Sequence, residues 1–178
     1  YPFPLFRATH MSAALKLFDI RRKSMEITVD LAELIERGGI ILDVEGFEPS
    51  EIYSKVCSLI SIPTGLSPDE LCGELCAREK VLSTAVGFGF ALPHPRRPIV
   101  KNESESKIVV IYPKEKLDMK APDSRLVYCM FLILSSSTQA HLQVLGKLAN
   151  LFRNVEFRKV MENKPSVKEI CDCIRTLG

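Results

Sequence analysis

Three histidines occur in the chain, His10, His94 and His141, and the last two stand where an imidazole could do chemistry. His94 ends the run Gly87-Phe-Gly-Phe-Ala-Leu-Pro-His94. Glycines there allow close backbone approach and Pro93 stiffens the path to the ring, so the stretch suits the presentation of one side chain. His141 falls in the first turn of a helical pattern, where free backbone N–H groups and the helix dipole favour a nearby anion. A neutral imidazole nitrogen is nucleophilic near pH 7 and can accept a group covalently and pass it on. For a phosphoryl group the protein need add only in-line positioning and positive charge or N–H donors around the phosphoryl oxygens, which Arg78 and the helix N-terminus would supply.

Taken singly, each of these residues also has an ordinary structural use. A histidine in an apolar Gly/Pro loop often bonds a backbone carbonyl, one that opens a helix can simply pack there, and Arg78 beside Glu79 reads equally as a solvated surface pair.

The elements that must position these side chains follow from periodicity and punctuation. Residues 30–37 carry apolar Leu31, Leu34 and Ile35, a short amphipathic helix that Gly38-Gly39 terminates. Ile40-Ile41-Leu42 reads as a strand. Glu48-Pro49-Ser50 opens a second helix with Ile52, Val56, Leu59 and Ile60 on one face, closed by Pro63-Thr64-Gly65. Ser67-Pro-Asp-Glu70 has capping-box spacing with proline at the first helical position, so a third helix runs through Arg78. Val81 to Pro98, punctuated by Gly87, Gly89, Pro93, Pro95 and Pro98, reads as a shaped loop. Lys107–Tyr112 and Leu126–Leu134 read as strands, the second buried on both faces, with Pro113–Asp123 a polar connection. Thr138–Phe152 is an amphipathic helix capped by Ser137 or Thr138, and shorter helices near Val155–Met161 and Ser166–Ile174 complete the chain. Interleaved helices and strands predict an α/β fold, a mixed β-sheet flanked by helices on both faces.

Size and composition limit the alternatives. At 178 residues and 46% hydrophobic content the chain suits one domain with a sizeable core. Lys and Arg total 24 against 22 Asp and Glu, so the net charge of +2 gives no general reason to expect nucleic acid. Six cysteines in a domain this rich in aliphatic residues need not be staples, and with no secretion signal they read as reduced, which places the chain in the cytoplasm. Neither Cys72/Cys76 nor Cys171/Cys173 has the Cys-x-x-Cys spacing of structural zinc, so no metal is expected. Asp118 and Asp123 show no partner spacing and receive no role. The longest apolar run, Leu126–Leu134, falls far short of the roughly 20 residues that span a bilayer. Residues 1–28 read as a tail, with Pro2 and Pro4 at its start, a basic cluster of Lys16, Arg21, Arg22 and Lys23, and His10-Met11 as a fusion junction or internal start. Residues 29–178 form the domain.

Two motifs, in order, resemble a known family. Arg78-Glu-Lys-Val-Leu-Ser-Thr-Ala-Val-Gly-Phe-Gly-Phe-Ala-Leu-Pro-His94 is similar to the signature of enzyme IIA, type 2, of the bacterial phosphotransferase system, in its fructose/mannitol/nitrogen-regulatory branch. His141-Leu-Gln-Val-Leu-Gly-Lys-Leu-Ala-Asn-Leu-Phe looks like that family's second element, a histidine opening a Leu-rich helix. The resemblance covers about residues 29–175, and among the branches the chain looks most like the nitrogen-regulatory IIA proteins. It implies that His94 accepts a phosphoryl group from the phosphocarrier HPr, that His141 is the second active-site histidine, that Arg78 helps hold the phosphoryl group, and that Ser83 and Thr84 form the polar turn at the site. It implies no cofactor. Two departures bear on the site: Phe88 stands where the family usually has Asn, Asp or Glu, and Pro95 where a small residue is common.

The expected function is therefore a phosphoryl carrier more than a stand-alone enzyme, with three possible purposes. One is regulation of partners such as kinases, transporters or transcription factors by docking that depends on phosphorylation. Another is transfer onward to an enzyme IIB for sugar uptake, and a third is a module tied to a DNA-binding segment through the basic stretch Lys16–Lys23. With no IIB or membrane segment appended before Gly178, regulation is the expectation. Phe88 and Phe90 are expected to line an apolar docking surface beside His94, flanked by Arg96 and Arg97.

Overall fold

The computed structural model describes residues 28–177. The tail with its basic cluster and the His10-Met11 junction lie outside the described residues. Among the described residues six α-helices and five strands follow in the order α1 (Leu31–Gly38), β1 (Ile40–Val44), α2 (Pro49–Leu59), α3 (Pro68–Val81), β2 (Ala85–Gly87), β3 (Phe90–Ala91), β4 (Lys107–Pro113), β5 (Cys129–Leu134), α4 (Thr138–Arg153), α5 (Val155–Glu162) and α6 (Val167–Leu177).

Helix starts follow local chemistry. Asp30 accepts from the Ala32 and Glu33 amides at α1, and Ser67 with Glu70 closes a capping box at α3 behind Pro68. Ser137 takes the α4 cap by accepting from Ala140 N. At the end of α1 the two glycines do different jobs. Gly39 needs its left-handed φ of 75°, whereas a Cβ on Gly38 would sit 2.0 Å from the Ile108 carbonyl oxygen, so Gly38 lets α1 lie directly on β4.

The sheet order is β1-β4-β5-β3-β2. β1 runs parallel to β4, β4 antiparallel to β5, β3 parallel to β5, and β2 antiparallel to β3. The two central strands are buried along their whole length. Their alternate residues feed separate cores. Ile108, Val110, Tyr112, Phe131 and Ile133 face α1, α4, α5 and α6, while Val109, Ile111, Met130, Leu132 and Leu134 face α2 and α3. The predicted mixed sheet between helical layers is the observed one.

The stretch read as a shaped loop contains β2 and β3, a hairpin at the sheet edge. Strands of three and two residues with glycines between them are too short to leave a period-2 signal. Phe90 of this hairpin is fully buried and stacks on Phe152 of α4, ring centroids 4.2 Å apart. Full burial of such a ring contributes about 1.5–3 kcal/mol. The stack ties together the two elements that carry His94 and His141.

Candidate functional site

His94 leaves the sheet edge just after β3. Strand-like pairing continues past the named strand, since Ile133 N donates to the Pro93 carbonyl at 2.9 Å, and Leu92 N donates to the Thr84 carbonyl at 2.9 Å. Buried Pro93 and Pro95 fix the backbone on either side of a half-buried His94. The His94 ring is held at both nitrogens. Nδ1 lies 2.6 Å from the Leu92 carbonyl oxygen, and Arg78 Nε–H donates to Nε2 at 3.2 Å. A carbonyl only accepts and the guanidinium only donates, so the proton sits on Nδ1 and the lone pair on Nε2. Burial holds the ring's pKa below its ordinary 6.5; the Leu92 carbonyl works against that, and the Arg78 charge reinforces it. The ring is neutral at pH 7 with its nucleophilic nitrogen aimed at the arginine.

Arg78 projects from the last turn of α3, where a cation suits the helix dipole, and its Nη1 donates to the Leu82 carbonyl at 2.6 Å. His141, in the first turn of α4, completes the group: its ring centroid is 4.8 Å from that of His94. Ser135 Oγ lies 3.5 Å from His141 Nδ1. Burial first, then the neighbouring His94 and Arg78, push the His141 pKa down to about 4, so this ring too is neutral at pH 7. One guanidinium beside two neutral imidazoles puts a positive charge next to an acceptor nitrogen, an arrangement suited to a phosphoryl group.

Ser83 and Thr84 lie in the turn between α3 and β2, with both hydroxyls donated inside the protein. Ser83 Oγ donates to the Met119 carbonyl, and Thr84 Oγ1 donates to Glu79 Oε2 at 2.6 Å. Glu79 receives no role of its own from the sequence, where it stands as the second half of the Arg-Glu pair in the first motif and as a surface partner of Arg78; its carboxylate bonds Thr84 and Tyr53 instead.

The expected apolar surface of Phe88 and Phe90 beside His94 is not what the fold makes. Phe90 points into the core. Phe88 sits at the tip of the edge hairpin, between Gly87 and Gly89, at the end of β3 away from His94, with a left-handed φ of 54°. Its amide donates to Asp123 Oδ2 at 2.7 Å and the Arg158 guanidinium lies 4.6 Å from its ring centre. Asp123, assigned no role from spacing, thus caps the hairpin tip.

Among the described residues no group of three or more His, Cys, Asp or Glu could hold a metal ion, and no helix is long and apolar enough to cross a membrane. All six cysteines are free.

The fold and the sequence have counterparts among known proteins. The chain is 29% identical to the crystallised nitrogen regulatory protein IIA-Ntr of Neisseria meningitidis, with a TM-score of 0.68 over 80% of this chain and 97% of that one. It is 23% identical to the nitrogen regulatory protein of Pseudomonas aeruginosa, covering 80% of this chain and 92% of that protein. It is 25% identical to the fructose-specific EIIABC component of Bacillus subtilis over 81% of this chain, which spans only 23% of that longer protein. Residues 33–176 match the family model described as phosphoenolpyruvate-dependent sugar phosphotransferase system, EIIA 2. With that match over most of its length and the mixed five-stranded sheet, the chain belongs to the EIIA 2 family of the phosphotransferase system.

Proposed function

We propose that the chain accepts a phosphoryl group from a phosphorylated HPr-type carrier on Nε2 of His94, and that it serves regulation, its phosphorylation state selecting the proteins it binds. The observation that carries this reading is the pair of hydrogen bonds on His94, Nδ1–H to Leu92 and Arg78 Nε–H to Nε2, which leaves one tautomer and one nucleophile. In the transfer, the Nε2 lone pair forms the new P–N bond while the donor's P–N bond breaks and its electron pair returns to the donor imidazole. The proton on Nδ1 stays, and the Leu92 carbonyl steadies the positive charge that the ring acquires. Arg78 turns from Nε2 to the phosphoryl oxygens, and the neutral His141 ring can give them an N–H.

Exposed apolar and basic residues flank the site residues in the chain, and we read them as a docking face. Val81, Leu82 and Leu142 are 63%, 70% and 62% exposed, Leu82 beside Arg78 and Leu142 beside His141. Exposed Arg96 and Arg97 follow His94 in the chain. A phosphoryl group adds roughly −1.5 to −2 charge at the centre of that apolar and basic face, enough to change which partner it suits. The similarity to the fructose-specific EIIABC component favours a second reading, transfer onward to an enzyme IIB for sugar uptake.

The test is incubation with phosphoenolpyruvate, enzyme I and HPr, followed by intact mass. A phosphoryl-sized gain, stable in alkali and labile in acid and absent from His94→Ala, is expected; no gain overturns the carrier reading. Quantitative passage of the label to a purified IIB as fast as charging would favour transport over regulation.

A further inference from the structure

The carboxylate of Glu79 accepts hydrogen bonds from two other parts of the fold. Tyr53 Oη of α2 donates to Oε2 at 2.9 Å, Thr84 Oγ1 donates to Oε2 at 2.6 Å, and Thr84 N donates to Oε1 at 3.0 Å. Tyr53 is fully buried and Thr84 nearly so. A carboxylate accepts from all three at once; a glutamine that keeps the Thr84 N–H on its oxygen would turn its NH2 group on the Tyr53 and Thr84 hydroxyls, reversing both of those bonds and removing the charge that strengthens them.

Thr84 and Arg78 are the two residues through which His94 is held. The Thr84 carbonyl accepts from Leu92 N, and the Leu92 carbonyl is the acceptor for His94 Nδ1–H. Arg78, the chain neighbour of Glu79, donates to His94 Nε2. Both nitrogens of the ring are therefore referenced to one carboxylate, one through the edge hairpin and the other through the end of α3. We propose that Glu79 is a positioning residue for phosphoryl acceptance: by clamping the β2–β3 hairpin to α2 and α3 it keeps His94 in the Nδ1–H tautomer with Nε2 facing the incoming group.

The inference rests on the carrier reading for its kinetic consequence, but not for its spectroscopic one. Two measurements on the full chain test it: 15N NMR of the His94 ring, which reports the tautomer, and single-turnover transfer from phosphorylated HPr as a function of HPr concentration. In Glu79→Gln the Nδ1–H tautomer should give way to a mixture, and the transfer rate at saturation should fall about 10- to 100-fold, as expected for a misplaced nucleophile. Half-saturation should stay unchanged, because Val81, Leu82 and Leu142 are untouched. Tyr53→Phe removes one of the three hydrogen bonds while keeping the buried ring, and should show the same pattern at smaller amplitude even if Glu79→Gln does not fold. Wild-type tautomer and wild-type saturating rate in folded variants would overturn the proposal. If wild-type protein takes no label at all, the carrier reading falls, and the tautomer comparison alone decides the role of Glu79.

Discussion

Arg78 Nε–H points at His94 Nε2 across 3.2 Å, so the lone pair proposed to attack phosphorus is covered by the group proposed to receive the phosphoryl oxygens. One side chain then guards the nucleophile at rest and stabilises the product. Arg78→Lys keeps the charge but loses the planar fork that can hold Leu82 O and His94 together or bind two phosphoryl oxygens. Phosphoryl acceptance should slow about tenfold, equivalent to about 1.4 kcal/mol of barrier, in rapid-quench transfer from HPr. An unchanged rate would remove Arg78 from the site.

The depressed pKa values set the pH response. Acceptance needs neutral His94, whose pKa lies below 6.5, so the acid limb of the transfer rate should fall below pH 6.5 and the rate should be flat from there to pH 8. His141 adds a stability effect. Its folded pKa, about 4, lies below its ordinary 6.5, so the unfolded chain binds the extra proton first. Stability from this residue is complete above about pH 6.5 and declines as the pH falls towards 4. Urea titrations across that range should show the decline in wild type and less of it in His141→Gln.

Phe88→Asn should leave labelling of His94 unchanged. The hairpin tip demands a left-handed φ of 54°, which asparagine adopts more readily than phenylalanine, while the substitution loses the Arg158 contact worth about 0.5–1 kcal/mol. These effects oppose each other, and the thermal midpoint should move by less than about 3 °C. A severe loss of labelling would mean that the tip communicates with the histidine at the far end of β3.

Gly38→Ala should destabilise the domain by about 1–3 kcal/mol in chemical denaturation. The new methyl would meet the Ile108 carbonyl at 2.0 Å, and the hydrogen-bonded backbone of a buried strand cannot give way as a side-chain tip can. Wild-type stability would show that α1 is free to lift from the sheet.

Much of this was legible in the sequence, for identifiable reasons. The caps at Ser67 and Ser137 and the apolar runs of β4 and β5 are local signals, and they predicted elements within a few residues of those observed. His94, Arg78 and His141 stood out through their flanking residues, and the fold brings all three together. The hairpin was hidden because its strands are shorter than any period. The contacts of Glu79 with Tyr53 and of Asp123 with Phe88 were hidden because each pair is distant in the chain, and the bonds of Glu79 to nearby Thr84 were hidden because they depend on the turn that follows α3 rather than on a helical spacing. Phe88 misled because it is near His94 in sequence, whereas an extended strand carries the two in opposite directions.

The parallel pairing of β3 with β5 also bears on how the candidate site comes apart. Both histidines emerge from the same ends of adjacent strands, but one of those strands belongs to the outermost hairpin, held by two short ladders, the Glu79 clamp and the Phe90–Phe152 stack. Edge elements of this kind open with a lower free energy than the central strands do. In rising denaturant the hairpin should detach first and take His94 away from Arg78 and His141 while β4 and β5 remain protected from hydrogen exchange. Phosphoryl acceptance would then vanish at lower denaturant than the bulk helical signal, making catalytic competence a reporter of sub-global unfolding at one sheet edge.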